Sequence, residues 1–232
     1  MLAIKRLAIE TDWNGAFSGK SMGNRHLFRV VKLARHMAKR LGAEAEIVEA
    51  GAWLHDTALP SGNDYSYKRN KQIVEKLLKD FQLSEKESGT IAECVASHEG
   101  TKRPRTLEAK IVHDADVLEK TGILGIIRHT WKLTNSGRLS WGNITKGDTE
   151  KVLAHLQWRS NKMQTSLGKT ISSYLSVPIT VEQATVIISI VAPKAFCGVV
   201  TEKIAPLLYK RLTAPQKNRL REQLSMSYLK KF

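Results

Sequence analysis

Cysteine is nearly absent. Cys94 and Cys197 are the only two in 232 residues, too few for a disulfide framework and not spaced as a CxxC pair. Both stand in apolar helical contexts, where buried free thiols are common, and a reducing compartment fits them. Long apolar runs are lacking too. The most apolar stretch, residues 184–192, stops at Pro193 and Lys194, far short of the roughly 20 residues that a membrane-spanning helix needs. The opening MLAIKRLAIETDW carries Lys5, Arg6 and Glu10, so it has no apolar centre of signal-peptide length. No stretch alternates with period two for long enough to demand a sheet, and there is no internal repeat or low-complexity block. These absences exclude a disulfide scaffold, a membrane span and a β-rich fold. The expectation is a soluble, cytoplasmic, all-helical chain.

Positive charge is in excess: Lys and Arg number 37 against 22 Asp and Glu, a net charge of +15. Such a balance attracts polyanions and is compatible with nucleotides, nucleic acid or acidic lipid. The basic residues are spread along the chain in short runs such as Lys39-Arg40, Lys210-Arg211 and Lys230-Lys231, as solvated helix faces are.

Over residues 24–41, Leu27, Val30, Val31, Ala34, Met37, Ala38 and Leu41 recur at spacings of three and four, which predicts an amphipathic helix stopped by Gly42. Residues 45–55 are almost continuously small or apolar and read as a helix buried on most sides, ending at the polar pair His55-Asp56. Residues 60–64, Pro-Ser-Gly-Asn-Asp, form the clearest loop. A helix is expected over 67–81, and Ser84 with Glu87 is a capping-box signal for another that reaches His98. Beyond Glu99-Gly100 and Pro104, helical spacing resumes through Leu118, and again from Gly122 through Trp131. A polar loop at 135–147 follows, then helices over 149–174, 181–192 and from Thr213, the last with Thr213 as N-cap and Pro215 in its first turn.

Several metal-ligand residue types sit where this pattern predicts burial. His26 opens the first helix, His55 and Asp56 close the second, His98 closes the fourth, and Asp114 and Asp116 lie inside an apolar helix. A buried carboxylate without a partner costs several kcal/mol, so these need a cation, a metal or dense hydrogen bonding. Two imidazoles and two carboxylates leave open positions on an octahedral ion, which suits Mn, Fe, Co, Ni or Mg better than a closed zinc site. Water and substrate can fill those positions, and such an ion acidifies water and polarises a phosphoryl oxygen. The His-Asp dipeptide recurs at His113-Asp114, so the order and spacing of the whole set carry the signal. On an apolar helix face, His36, His113, His129 and His155 read as ordinary core histidines.

Four segments, HLFRV at 26–30, AGAWLHD at 50–56, SHEG at 97–100 and KIVHDADVLEKTGILGIIR at 110–128, together resemble the HD superfamily of metal-dependent phosphohydrolases. The resemblance is to its small stand-alone branch, which includes nucleoside triphosphate pyrophosphohydrolases. It covers residues 23–134 well and 163–174 more loosely. It implies an all-α HD-domain helical bundle, here a single domain with a core at about 22–134 and a C-terminal helical extension at about 148–232. It further implies His26, His55, Asp56 and Asp116 as metal ligands, with His98 lining the site; an imidazole there can transfer a proton or hold the leaving oxygen near neutral pH. Asp116 fits the register of the final ligand, since Ala precedes it and Val-Leu follows. Asp114 is its alternative, or else orients a neighbour or caps a hydrogen-bond network.

This chain departs from the branch in lacking any histidine between His55 and His98, reading Ser66-Tyr67-Lys68-Arg69-Asn70 instead, which points to one metal rather than two. Lys68 or Arg69 could then clamp phosphate, with Arg29, Lys110 and Arg128 as further phosphate-binding candidates beside the bland alternative of structural ion pairs. Trp141, near Arg138 and Asn143, is a candidate for stacking on a base. The main expectation is a metal-dependent phosphohydrolase acting on a nucleotide or another small phosphorylated metabolite. The rival is a basic nucleic-acid-binding protein or nuclease on an HD scaffold. A degenerate HD domain kept for protein interaction ranks third.

Overall fold

The computed structural model describes residues 1–61 and 65–232. Among these residues 72% are helical, with twelve α-helices and no strand. None of the helices is long and apolar enough to cross a membrane. Of the loop expected at 60–64, Gly62, Asn63 and Asp64 lie outside the described residues, and Leu59–Ser61 form a 3-10 turn.

Two compact units divide the chain: residues 1–22, 26–116 and 163–169 form the first, and residues 23–25, 117–162 and 170–232 the second. In the first unit, α1 (Leu2–Glu10) packs on α3 (Ala45–Leu54), and α2 (His26–Leu41) packs on α3 as well. The stripe expected on α2 is the buried one, with Leu27, Val30, Val31, Leu33, Ala34, Met37 and Ala38 inside. Farther on, α4 (Tyr67–Leu78) packs on α5 (Glu85–Ser97), and α5 on α3. The capping box on α5 is present: Glu87 N–H donates to Ser84 Oγ, and Ser84 N–H donates to Glu87 Oε2 at 2.8 Å. Helix α6 (Leu107–Glu119) belongs to this unit through Asp116 and is buried around most of its circumference, polar His113, Asp114 and Asp116 included.

Gly51 of α3 faces both α5 and α6. A Cβ there would lie 2.6 Å from Cys94 Cβ on α5 and 3.3 Å from a Val112 methyl on α6. Only glycine permits that approach, and its cost to helix propensity, about 1 kcal/mol, is offset by the packing it allows.

In the second unit, α7 (Gly122–Asn135) packs on α10 (Val181–Phe196), and both also touch α8 (Lys146–Ser160). The 170–175 portion of α9 (Ser166–Leu175), the short α11 (Thr201–Ile204) and α12 (Ala214–Ser225) complete it. Thr213 caps α12 as the sequence suggests. Trp131 Nε1 donates to Val199 O at 3.0 Å, which ties α7 to the chain beyond α10.

Four local expectations change. The single helix expected over 149–174 is broken, because α8 ends at Ser160 and α9 begins at Ser166. The cause lies in the first unit: the Asp114 carboxylate accepts Gln164 N–H at 2.8 Å, Thr165 N–H at 2.7 Å and the Thr165 hydroxyl at 2.7 Å. Periodicity cannot report a break imposed by a side chain 50 residues away. Helix α10 runs through Pro193 to Phe196 instead of stopping before it, since a proline in the last turn removes only one helical hydrogen bond. Helix α1 has no strong apolar pattern and is not anticipated. Cys197 is exposed; Cys94 alone is buried, and burial pushes its thiol pKa up.

Asp114→Ala should strand two backbone donors and a hydroxyl and cost about 3 kcal/mol, seen as a lowered midpoint in urea unfolding. Gly51→Ala should cost about 1–3 kcal/mol through overpacking, and a thermal melt no different from the parent would contradict the crossing described.

Candidate metal centre

The site lies within the first unit and is built at helix ends. His26 is the first residue of α2. His55 and His98 are the residues immediately after α3 and α5, both still in right-handed helical conformation. The last carbonyls of a helix have no partner in the helix itself, and an imidazole at that place can take one. Both do so: His55 Nδ1 donates to Ala52 O at 2.8 Å, and His98 Nδ1 donates to Val95 O at 2.7 Å. A carbonyl can only accept, so each Nδ1 carries the hydrogen and each Nε2 is left to face the site. His113 of α6 repeats the device, with Nδ1 donating to His98 O at 2.7 Å, and so holds the end of α5 in place.

The Nε2 atoms of His26 and His55 are 3.1 Å apart. Asp56 Oδ2 lies 3.4 Å from the first and 3.2 Å from the second, and Asp116 Oδ1 lies 3.4 and 3.8 Å from them. His98 Nε2 is 3.8 Å from Asp56 Oδ1. All five residues are buried. Donor atoms held at about 2.1 Å and at right angles on one ion stand about 3.0 Å apart, close to these separations. Two imidazole nitrogens facing each other between two carboxylates is an arrangement that a cation stabilises. The His55 proton affinity reports the same field. Burial alone lowers its pKa, yet the charge and hydrogen bond of Asp56, with Asp116 behind, raise it to about 9. His26, His55, Asp56 and Asp116 therefore have the donor types and spacing to hold one divalent ion.

Asp114 points elsewhere, onto Gln164 and Thr165, and burial lifts its pKa to about 6 although those hydrogen bonds lower it. Of the phosphate-binding candidates, Arg29 is buried one turn along α2 from His26. Lys68 and Arg69 are exposed in the first turn of α4, and Lys110 is half-buried in α6. Arg128 belongs to the second unit, where Nη1 is 3.5 Å from Glu119 Oε2. His113 and His129 are core histidines, but His36 and His155 are only half-buried, and His155 stacks on His129 at 4.1 Å. Trp141 is exposed and stacks on Phe196 at 4.9 Å.

One residue escapes the sequence reading. Glu99, treated there only as part of a break, is buried, with Oε1 at 3.6 Å from His98 Nε2. Composition gives no signal for this, since Glu-Gly after a helix reads as a turn.

Solved structures share this fold. Bacillus subtilis YpgQ in complex with ADP aligns over 91% of this chain and 94% of its own, with a TM-score of 0.54 and 17% identity. A second structure of YpgQ covers 82% and 88%, with a TM-score of 0.50 and 16% identity. A Lactobacillus plantarum protein covers 75% and 87%, with a TM-score of 0.50 and 23% identity. At these identities the likeness is one of fold. Residues 24–121 match the family described as HD domain, a span that contains every residue of the cluster. That stretch, less than half of the chain, is similar to the HD domain that the sequence motifs resemble.

Proposed function

We propose that the protein hydrolyses a phosphate ester or anhydride of a nucleotide or another small phosphorylated metabolite, using a divalent cation held by His26, His55, Asp56 and Asp116. The observation that carries this reading is the 3.1 Å approach of the two Nε2 atoms between the Asp56 and Asp116 oxygens. The nucleotide is supported by the ADP bound to YpgQ, which shares the fold over nearly the whole chain, and by a net charge of +15 suited to anions.

The ion, among Mn, Fe, Co, Ni and Mg, would acidify a water and polarise a phosphoryl oxygen. The chain's own residues do the rest. His26 and His55 present nitrogen lone pairs, and Asp56 and Asp116 supply the negative charge that draws a cation into a buried site. His98, with Nδ1 engaged by Val95 O, has Nε2 available to accept a proton from the attacking water or to hold the leaving oxygen. Arg29, Lys68, Arg69 and Lys110 are the first-unit cations proposed to neutralise phosphate oxygens. Burial of all five site residues restricts water to the reacting position.

Phosphate and pyrophosphate release should be measured across a nucleotide panel with Mn, Co, Ni or Mg added to chelator-stripped protein. Hydrolysis should require the metal and fall about a hundredfold or more in Asp56→Ala, because even outer hydrogen-bond partners of metal ligands are worth 10–100-fold. Hydrolysis that survives both chelation and this substitution would refute the reading.

A further inference from the structure

Two large aromatic rings of the second unit are left at its surface. Trp141, in the loop after α7, is 48% exposed, and Phe196, the last residue of α10, is 45% exposed. They stack on each other, with centroids 4.9 Å apart and planes 25° apart. The fold joins them by fastening the ends of α7 and α10. Asn135, the last residue of α7, donates from Nδ2 to Trp131 O and to Ala195 O, both at 3.1 Å. The loop then turns back on α7: Arg138 N–H and Leu139 N–H donate to Leu133 O at 2.9 and 3.3 Å, and Leu139 is buried two residues before Trp141. The indole is thus carried on an anchored turn.

Charge in the two segments that meet here has one sign. No Asp or Glu occurs between Glu119 and Asp148, or between Glu182 and Glu202. Lys132 lies in the last turn of α7, Arg138 in the loop and Lys194 in the last turn of α10. The carbonyls at a helix end carry partial negative charge, which opposes a phosphate. At the end of α10 those of Pro193, Lys194 and Ala195 are taken, accepting Cys197, Val199 and Gly198 N–H at 3.2, 3.0 and 2.9 Å.

We propose that Trp141 and Phe196, with Lys132, Arg138 and Lys194, form a docking surface for single-stranded nucleic acid. A base extends the existing ring stack, and the cations meet the phosphates beside it. Aromatic side chains take bases in this way whatever the sequence, because every base has a π-face, whereas in a duplex those faces are covered by the neighbouring pairs. The core of a protein interface is depleted of lysine, while two lysines belong to this surface. The net charge of +15 favours the same polyanion. This surface stands whether or not the protein is a hydrolase.

The test is fluorescence anisotropy of labelled oligouridylate, oligothymidylate and a duplex of the same length, titrated with the full chain over a range of salt. Chelator is present throughout, so the probe stays intact whatever the metal centre does. The parent should bind a single strand about tenfold more tightly than the duplex, and Trp141→Leu, with its circular dichroism retained, should lose about tenfold while Trp141→Phe keeps its affinity. Arg138→Gln and Lys194→Gln should each lower the slope of log affinity against log salt by about 0.7, the share of one phosphate on a single strand. A preference for uridylate or thymidylate names the sugar, and either meets the proposal. Equal affinity for the duplex overturns it, as does a Trp141→Leu protein that binds like the parent. Absence of binding even at low salt also overturns it and leaves the ring pair to a protein partner. Should Trp141→Leu fail to fold, the parent's preference for single strand and the slopes of the two cation variants decide.

Discussion

Three helices are held together beneath the metal centre by the absence of one side chain. Gly51 of α3 lies against Cys94 of α5 and Val112 of α6. Each lies four residues, one helical turn, before a residue of the site: His55, His98 and Asp116. The crossing therefore fixes the spacing of the layer above it. Donor atoms must stand about 3 Å apart to share an ion, a tolerance that loops do not meet but packed helices do. A methyl group at position 51 pushes on a Cβ, which cannot swing aside as the end of a long side chain can, so the helices themselves must part. The glycine that costs α3 some helix propensity is thus a condition of the geometry one turn higher.

The same economy governs how the imidazoles are aimed. A histidine at the end of a helix meets a carbonyl that the helix has left without a partner, and the resulting hydrogen bond chooses the tautomer and the ring orientation together. His55 and His98 both use the carbonyl three residues back, and His113 secures the carbonyl of His98 itself. Nothing beyond ordinary helix-end chemistry is needed to turn two Nε2 atoms inward. The opposing cost is the burial of the Asp56 and Asp116 carboxylates, since taking a charge out of water is expensive. The raised proton affinity of His55 has the same origin, the charge and hydrogen bond of Asp56 and the charge of Asp116 beside a buried ring.

Much of this was legible in the sequence, and the parts that were not share a cause. The apolar stripe of α2, the capping box of α5 and the polar residues inside an apolar α6 are local signals, and the elements they predict are present. Burial of His26, His55, Asp56 and Asp116 followed from their places in those patterns. The break between α8 and α9 did not, because Asp114 reaches Gln164 and Thr165 across a sequence gap that no periodicity spans. Glu99 was hidden for a different reason. Glu-Gly after a helix reads as a turn by composition, and only the fold shows the carboxylate to be buried beside His98. Likewise His36 and His155 sit at apolar spacing but near the edge of their helices' buried stripes, so position along the helix was not enough to place them in the core.

The chain's net charge and the charge of its centre have opposite signs, and that opposition orders the events of binding. An overall charge of +15 draws anions towards the protein from a distance set by the ionic strength. The centre itself gathers carboxylates, and a phosphate approaching it bare would be repelled at short range, where screening is weakest. On the proposed function a cation would therefore load before an anionic substrate, and the substrate in turn would hold the cation more firmly, because any coupling between two bound species is reciprocal. For the phosphate substrate proposed, long-range attraction by dispersed lysines and arginines would set how often it arrives. The buried carboxylates and imidazoles set whether it can stay.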